Sequence, residues 1–442
     1  MNIRPAKKKK YYPLSYAQTR HWMYYKMESA SSFYNIFIVL KLRGRLDIKL
    51  LNKAIEALSR RHEILKINIK EIKDEPAQFI GGDDIKMETF NLTNKPTKDK
   101  AKIENLIVQK YAKSPFKLES DQLIKFKLIK IKNNEHTFII VINHIIFDVW
   151  SSGILLEDLS ELYNSYLEKR KPNLPSLPIQ FKDYAEWEQS DENRKKLKKQ
   201  EKYWLKKLSG ELPILDLPTD NPRPPVLTYN GRDEVLKLNP NVTRRINEYC
   251  RKTDSTLFAF MLAAFNVFLC KLTNQTDIII GVPTANRDYP ELENVIGVLV
   301  NNLAIRNKVE TDKNFEILLS QIKRGIIEGM ENNDYSIDHL IEKLNPERDT
   351  SRSPLFSVVC QAYDQFDREK LELRDIIVEY NKVSVNTTTA DLRFYVINKN
   401  NQITLNFNYN TDLFNPETIK CWMNNMVALA ENILNNPQKK IS

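Results

Sequence analysis

The chain has 442 residues, roughly three times the ~150 of an average domain, so two lobes or more are expected. Lys+Arg 67 against Asp+Glu 57 gives a net charge of +10, but the lysines are interspersed with acidic residues and no aromatic-interleaved basic stripe is visible, which argues against a nucleic-acid partner. Hydrophobic residues at 42% exclude disorder as the main state, and ten glycines form neither a GxGxxG nor a GxxxxGK[ST], which removes the signature of dinucleotide and P-loop sites.

Taken in chain order, Lys7 to Lys10 read as a solvated tail, since Tyr11-Tyr12-Pro13 follow without the apolar region of a signal peptide. Ser15-Tyr16-Ala17-Gln18 reads as a capping box that opens a helix to about Met27. Residues 33–43 read as a strand and 48–60 as a helix with Leu51, Ile55 and Leu58 on one face. Ile124, Phe126 and Leu128 alternate with lysines in a half-buried strand, whereas Phe138 to Ile142 has no polar alternation and reads as a central strand buried on both faces.

Two proline clusters, at 172–178 and 213–225, flank a Lys-rich helix over 190–208 and read as an interlobe connection, with the domains placed at 1–175 and 176–442. The second half repeats the alternation: helices at 240–252 and 254–272, a buried strand at Ile278-Ile279-Ile280, and strands at 355–363, 392–398 and 402–409. A last helix starts at Asn415-Pro416 with Ile419, Met423, Met426 and Ile433 in one stripe. Leu257 to Cys270 is apolar except for Asn266, yet shorter than the roughly 20 residues of a membrane span. Four cysteines without a CxxC pair suit a reducing cytosol and a cytoplasmic protein. The expected fold is therefore α/β, in two halves joined by a polar linker.

The chemistry concentrates in Asn143-His144-Ile145-Ile146-Phe147-Asp148-Val149-Trp150-Ser151. A histidine falls at the end of a buried strand, where such folds open a crevice, and an aspartate follows four residues later. Histidine can take a proton from an attacking nucleophile or orient it. Equally, HxxxD describes a core histidine with a turn-ordering aspartate, and both readings stand on the residues alone. No HExxH and no GxSxG occurs, so neither zinc nor a serine elbow is expected.

The nine residues resemble the HHxxxDG motif of the condensation domains of nonribosomal peptide synthetases, in the chloramphenicol-acetyltransferase-like superfamily. Further segments resemble the family in order: Ser15 to Trp22 (SxAQxRxW), Arg61 to Lys66 (RHExLR), Lys182 to Trp187 (YxDYAxW), Gly281 to Arg287 (GxPxxxR), Ile296 to Asn302 with Arg306 (IGxFVNT…R), and Arg348 to Phe356 (RDxSRNPLF). The resemblance implies two acetyltransferase-like lobes in a V-shaped pseudo-dimer with a central tunnel. A floor loop near Arg287 to Asn301 and a latch near residues 376–400 would reach from the second lobe to the first.

It implies an amide-bond-forming acyltransferase that joins a donor acyl or peptidyl thioester to an acceptor aminoacyl thioester, as in antibiotic biosynthesis. Both substrates ride on the phosphopantetheine arms of donor and acceptor carrier proteins, and the domain itself binds no cofactor or metal. An adjoining adenylation domain is implied as partner, with the chain an excised piece of a larger synthetase. By match to the motif, His144 is the catalytic histidine, Asn143 stands where the first histidine would be, and Asp148 pairs with Arg287. Val149, Trp150, Ser151 and Asn301 would line the tunnel. Three departures stand out: Asn143, Val149 in place of a glycine, and Asp391 and Arg393 with charges exchanged relative to the family's latch-side segment. Asn143 and Val149 motivate the alternative of a catalytically degenerate relative that recruits or gates carrier proteins. An acyltransferase using a soluble thioester such as coenzyme A is a further alternative.

Overall fold

The computed structural model describes residues 3–27, 33–347, 349–364, 370–381 and 386–441. Arg348, residues 382–385 of the expected latch and Ser442 lie outside them. The fold is mixed α/β and divides into two compact units. One comprises Met1–Lys195, Ala285–Val300 and Phe366–Ser384; the other comprises Lys196–Thr284, Asn301–Gln365 and Val385–Ser442. The units therefore do not follow a single cut at 175/176. The chain leaves the first within the helix Asp191–Lys207, and two later segments, one covering most of the expected floor loop, count with the first unit.

The first unit is built on a five-stranded sheet in the order Ile376–Tyr380, Asn35–Gly44, Glu135–Asn143, Ile124–Lys132, Glu88–Asn91. Its strands pair antiparallel except the last two, which are parallel. Glu135–Asn143 is the middle strand, and Phe138 to Ile142 are at most 1% exposed, as the unbroken apolar run requires. The helices Ile48–Arg61 and Val149–Leu167 share its core. The Arg61-His62 segment fastens them together: Arg61 Nε and His62 Nε2 lie 2.7 and 2.8 Å from one carboxylate oxygen of Asp158. The expected capping box closes reciprocally, with Ser15 N donating to Gln18 Oε1 and Gln18 N to Ser15 Oγ, each at 3.1 Å.

The second unit carries a six-stranded sheet in the order Asn301–Lys308, Asp277–Thr284, Val358–Asp364, Leu392–Lys399, Gln402–Asn410, Gly231–Lys237. Its core helix is Leu257–Thr273, buried from Ala259 to Cys270. The apolar run is thus a core helix, and Asn266 within it donates to the Leu262 carbonyl at 2.8 Å. The helix starts later than expected because Thr256 caps it, its hydroxyl accepting from Ala259 N. The strand expected from 355 starts at Val358, because Leu355 sits in the left-handed region (φ 68) and Phe356 N bonds back to the Pro354 carbonyl in a tight turn. Among the described residues no single helix is long and apolar enough to cross a membrane.

Two motif glycines owe their identity to packing within their own units. A Cβ on Gly297 would lie 1.9 Å from the Phe181 ring, and one on Gly281 would lie 2.3 Å from the Phe356 ring. Each glycine makes room for an aromatic from, or next to, another motif. Asp391 also has its cation: Arg223 Nη1 and Nη2 bind its two carboxylate oxygens at 3.0 and 2.6 Å, and Asp391 is 1% exposed. The carboxylate at 391 is thus paired with Arg223 and not with Arg393, whose guanidinium donates to Thr389 Oγ1.

Candidate active site

The strand Glu135–Asn143 ends in a short turn, His144–Ile146, and Asp148 then caps the helix Val149–Leu167. Main-chain bonds set the turn: Asn143 N donates to Leu123 O at 2.9 Å and His144 N to Tyr34 O at 2.8 Å. Ile145, Ile146 and Phe147 have no exposed surface, so they anchor the turn in the core and leave half-buried His144 at its edge. Asn143 Oδ1 accepts from Ile145 N at 3.0 Å, so its carbonyl oxygen caps the turn that carries His144.

Asp148 is 3% exposed and saturated with donors. Its Oδ1 accepts from Ser151 N at 2.9 Å, Ser151 Oγ at 2.7 Å and Arg287 Nη2 at 3.1 Å. Its Oδ2 accepts from Arg287 Nη1 at 3.1 Å and Leu299 N at 3.0 Å. Arg287 also donates to the carbonyls of Ala285 and Val295. Burial pushes the Arg287 guanidinium down from its usual range, and the Asp148 carboxylate opposes that shift. These five donor atoms occupy both carboxylate oxygens. The geometry is that of a structural clamp between the helix cap and the 285–300 segment.

The residues expected to line a tunnel fall into three situations. Ser151 has no exposed surface, and Gly297 N donates to its hydroxyl at 3.0 Å, so it belongs to the Asp148 clamp. Asn301 is also internal: its Nδ2 donates to the carbonyls of Asn333 and Tyr335 at 2.7 and 2.9 Å, and its Oδ1 accepts from Ile337 N. Both departures from expectation have one cause, polar side chains sealing buried main-chain groups. Trp150 is half-buried, its Nε1 donating to the Glu293 carbonyl at 3.1 Å and its ring facing the Arg287 guanidinium at 5.7 Å. Val149, first residue of its helix, is 38% exposed and does not pack behind the turn.

One neighbour of His144 was not among the expected residues. His21, on the helix Tyr16–Met27, stacks on the His144 ring with centroids 4.8 Å apart and planes 22° apart. It is 7% exposed, and neither of its ring nitrogens has a hydrogen-bond partner among the described residues. Its sequence signal was an imidazole inside a motif-like segment, between Arg20 and Trp22, in a chain where Asn143 replaces a motif histidine. A lone histidine on a helix is otherwise indistinguishable from a core residue.

Burial holds His21 well below the usual imidazole range, with His144 and Arg20 adding to the effect. Burial likewise depresses His62, against the pull of Asp158, and it depresses His136 and His339. These four rings stay neutral in the fold at pH values where the unfolded chain, with histidine near 6.5, already binds protons. The unfolded state then binds more protons, so stability falls as pH drops below about 6.5 and continues to fall until the folded rings titrate. Urea unfolding at about pH 7.5 and about pH 5.5 should therefore give a lower midpoint in the acid. Equal midpoints would mean these rings titrate as freely folded as unfolded.

The condensation-domain family model matches residues 8–442. Tyrocidine synthase 3 of Brevibacillus parabrevis is 32% identical over 441 residues, covering 100% of this chain and 7% of that protein. Surfactin synthase subunit 2 of Bacillus subtilis is 35% identical over 440 residues, again 100% of this chain and 12% of the relative. The chain thus spans about a tenth of the length of these two relatives. Among solved structures, the X-domain from teicoplanin biosynthesis has a TM-score of 0.89 at 22% identity, covering 100% of this chain and 99% of its own. The condensation domain from the Monacolin K polyketide synthase MokA has 0.83 at 21% identity, covering 98% and 99%. At these identities the structures speak for the fold.

Proposed function

The chain belongs to the condensation-domain family, and from that membership we propose that it forms amide bonds in a cytosolic nonribosomal peptide synthetase. The amine of an acceptor aminoacyl thioester attacks the carbonyl of a donor acyl or peptidyl thioester. The C–N bond forms, the C–S bond breaks, the amine gives up a proton and the departing sulfur takes one. Both thioesters are carried on phosphopantetheine arms of partner carrier proteins, and an adenylation domain adjoins. The observation that supports this reading is His144, presented half-buried on a turn whose other residues are internal. Its imidazole takes or directs the amine proton, while Asp148, saturated by five donors, holds the scaffold with Arg287.

A second reading rests on Asn143, whose oxygen is engaged in capping rather than chemistry: a domain that binds carriers without catalysis. Donor and acceptor carriers loaded with acyl and aminoacyl groups, incubated with the domain and read by mass spectrometry, decide between them. Condensed product on the acceptor arm supports the first reading. Carrier binding without product supports the second, and product from a free coenzyme A thioester would point to a soluble-thioester acyltransferase.

The exposed Val149 side chain places a rigid isopropyl group one residue from Asp148, near the proposed reaction centre. Val149→Gly is expected to widen the range of accepted aminoacyl groups and to move KM more than kcat, whereas Val149→Phe should stop turnover without unfolding. Kinetics over a panel of aminoacyl carriers check this. An unchanged panel would make the valine a surface residue with no part in specificity.

A further inference from the structure

We propose that His21 is a positioning residue for His144: a second imidazole whose ring face steadies the His144 ring and the charge it gains with the amine proton. This rests on the acyl-transfer reading of His144 given above. The two rings are nearly parallel, 22° apart with centroids separated by 4.8 Å. Tyr34 completes the arrangement from both directions. Its ring meets His21 edge-on at 5.0 Å and 85°, and its carbonyl accepts from His144 N at 2.8 Å. One residue thus fixes both the backbone of one histidine and the ring of the other.

The helix bearing His21 is anchored one turn earlier by the Ser15–Gln18 capping box, and both of those residues have no exposed surface. The stacked ring is therefore a fixed part of the site. Two adjacent imidazolium ions would repel, so the pair holds one charge, and burial with Arg20 nearby assigns it away from His21. A neutral aromatic face stabilises an adjacent cation, more so where water is excluded. Asn143 cannot take this part, since its oxygen is held by Ile145 N.

Because the charge on His144 exists only once the proton has moved, losing the stacked face should lower kcat and leave KM nearly unchanged. The test uses His21→Leu, with His21→Met in its place if the leucine protein does not fold, and His21→Phe, which restores an aromatic face. Two readouts apply: pH–rate profiles with loaded carriers, and NMR titration of the His144 ring in the ligand-free domain, whose five histidines are assignable by single substitution. For the aliphatic variant, kcat should fall about 3–30-fold, with the acid limb of the profile and the His144 titration both displaced to lower pH. His21→Phe should recover most of both changes. An aliphatic variant identical to wild type in both readouts would overturn the proposal. A phenylalanine variant as slow as leucine with the titration unmoved would overturn it too, by assigning the effect to the ring nitrogens. Full activity in His144→Ala would instead remove the proton-handling role given to His144, while the His144 titration in the otherwise unchanged protein would still report the stacking.

Discussion

Asp148→Ala is expected to destabilise the domain by about 3–5 kcal/mol, the range for removing one partner of a buried ion pair. The Arg287 and Asp148 side chains are 2% and 4% exposed, so the surviving guanidinium cannot recover solvent in place of its counter-charge. Burial alone already disfavours the charged arginine, and Asp148 is the group that opposes this. The substitution also leaves Ser151 N and Leu299 N without their acceptor and removes the cap of Val149–Leu167, itself worth about 1 kcal/mol. Arg287→Ala should fall in the same range, because it strands the carboxylate. His144→Ala removes a half-buried ring and should cost far less. Urea denaturation of the three variants supplies the comparison. If Asp148→Ala unfolded with wild-type stability yet made no product, the carboxylate would act in the reaction and not in the scaffold.

Much of this clamp was legible beforehand, because its signals are local or motif-bound. A cap requires an oxygen two or three residues before free amides, and Ser15 marks its helix start within a residue; Asn415-Pro416 marks another through the proline in the first turn. The central strand was legible because residues buried on both faces cannot alternate. Strand order was not, since pairing of Glu135–Asn143 with Asn35–Gly44 joins segments about a hundred residues apart and leaves no local trace. The small sheet of Tyr12–Pro13, Glu75–Ile80 and Ile67–Ile72 escaped notice for a different reason: its strands are short and its edge is only two residues long.

In the site, the motif match had joined Asp148 to Arg287, and both guanidinium Nη atoms lie 3.1 Å from the carboxylate. Ser151 and Asn301 were expected to face a passage and instead seal internal amides and carbonyls, a distinction that depends on side-chain direction and not on residue type. His21 was hidden because a stack between a helix and a distant turn is a tertiary fact. Its nearest clue was compositional: one motif imidazole absent at 143 and an extra one present at 21.

His144→Ala should lower the rate of condensation by about 10²–10⁴-fold, the usual contribution of a positioned acid–base group, with the fold intact. An aminoacyl amine is a good nucleophile only without its proton, and the tetrahedral intermediate it forms must lose one before the sulfur departs. A histidine can accept that proton near neutrality, because its ordinary pKa lies close to 6.5. Alanine keeps the turn, since the main-chain bond from residue 144 to Tyr34 O and the burial of Ile145, Ile146 and Phe147 do not involve the imidazole. The loss should therefore appear in kcat, with carrier affinity and melting temperature close to wild type. Asn143→Ala offers the contrast: it removes the cap on Ile145 N, so its smaller loss should come with a slackened turn and a lowered melting point. Single-turnover assays on both variants with preloaded carriers separate the two cases. A His144→Ala protein that condenses at the wild-type rate would leave the domain working by orientation of the two thioesters alone, with effective concentration supplying the acceleration.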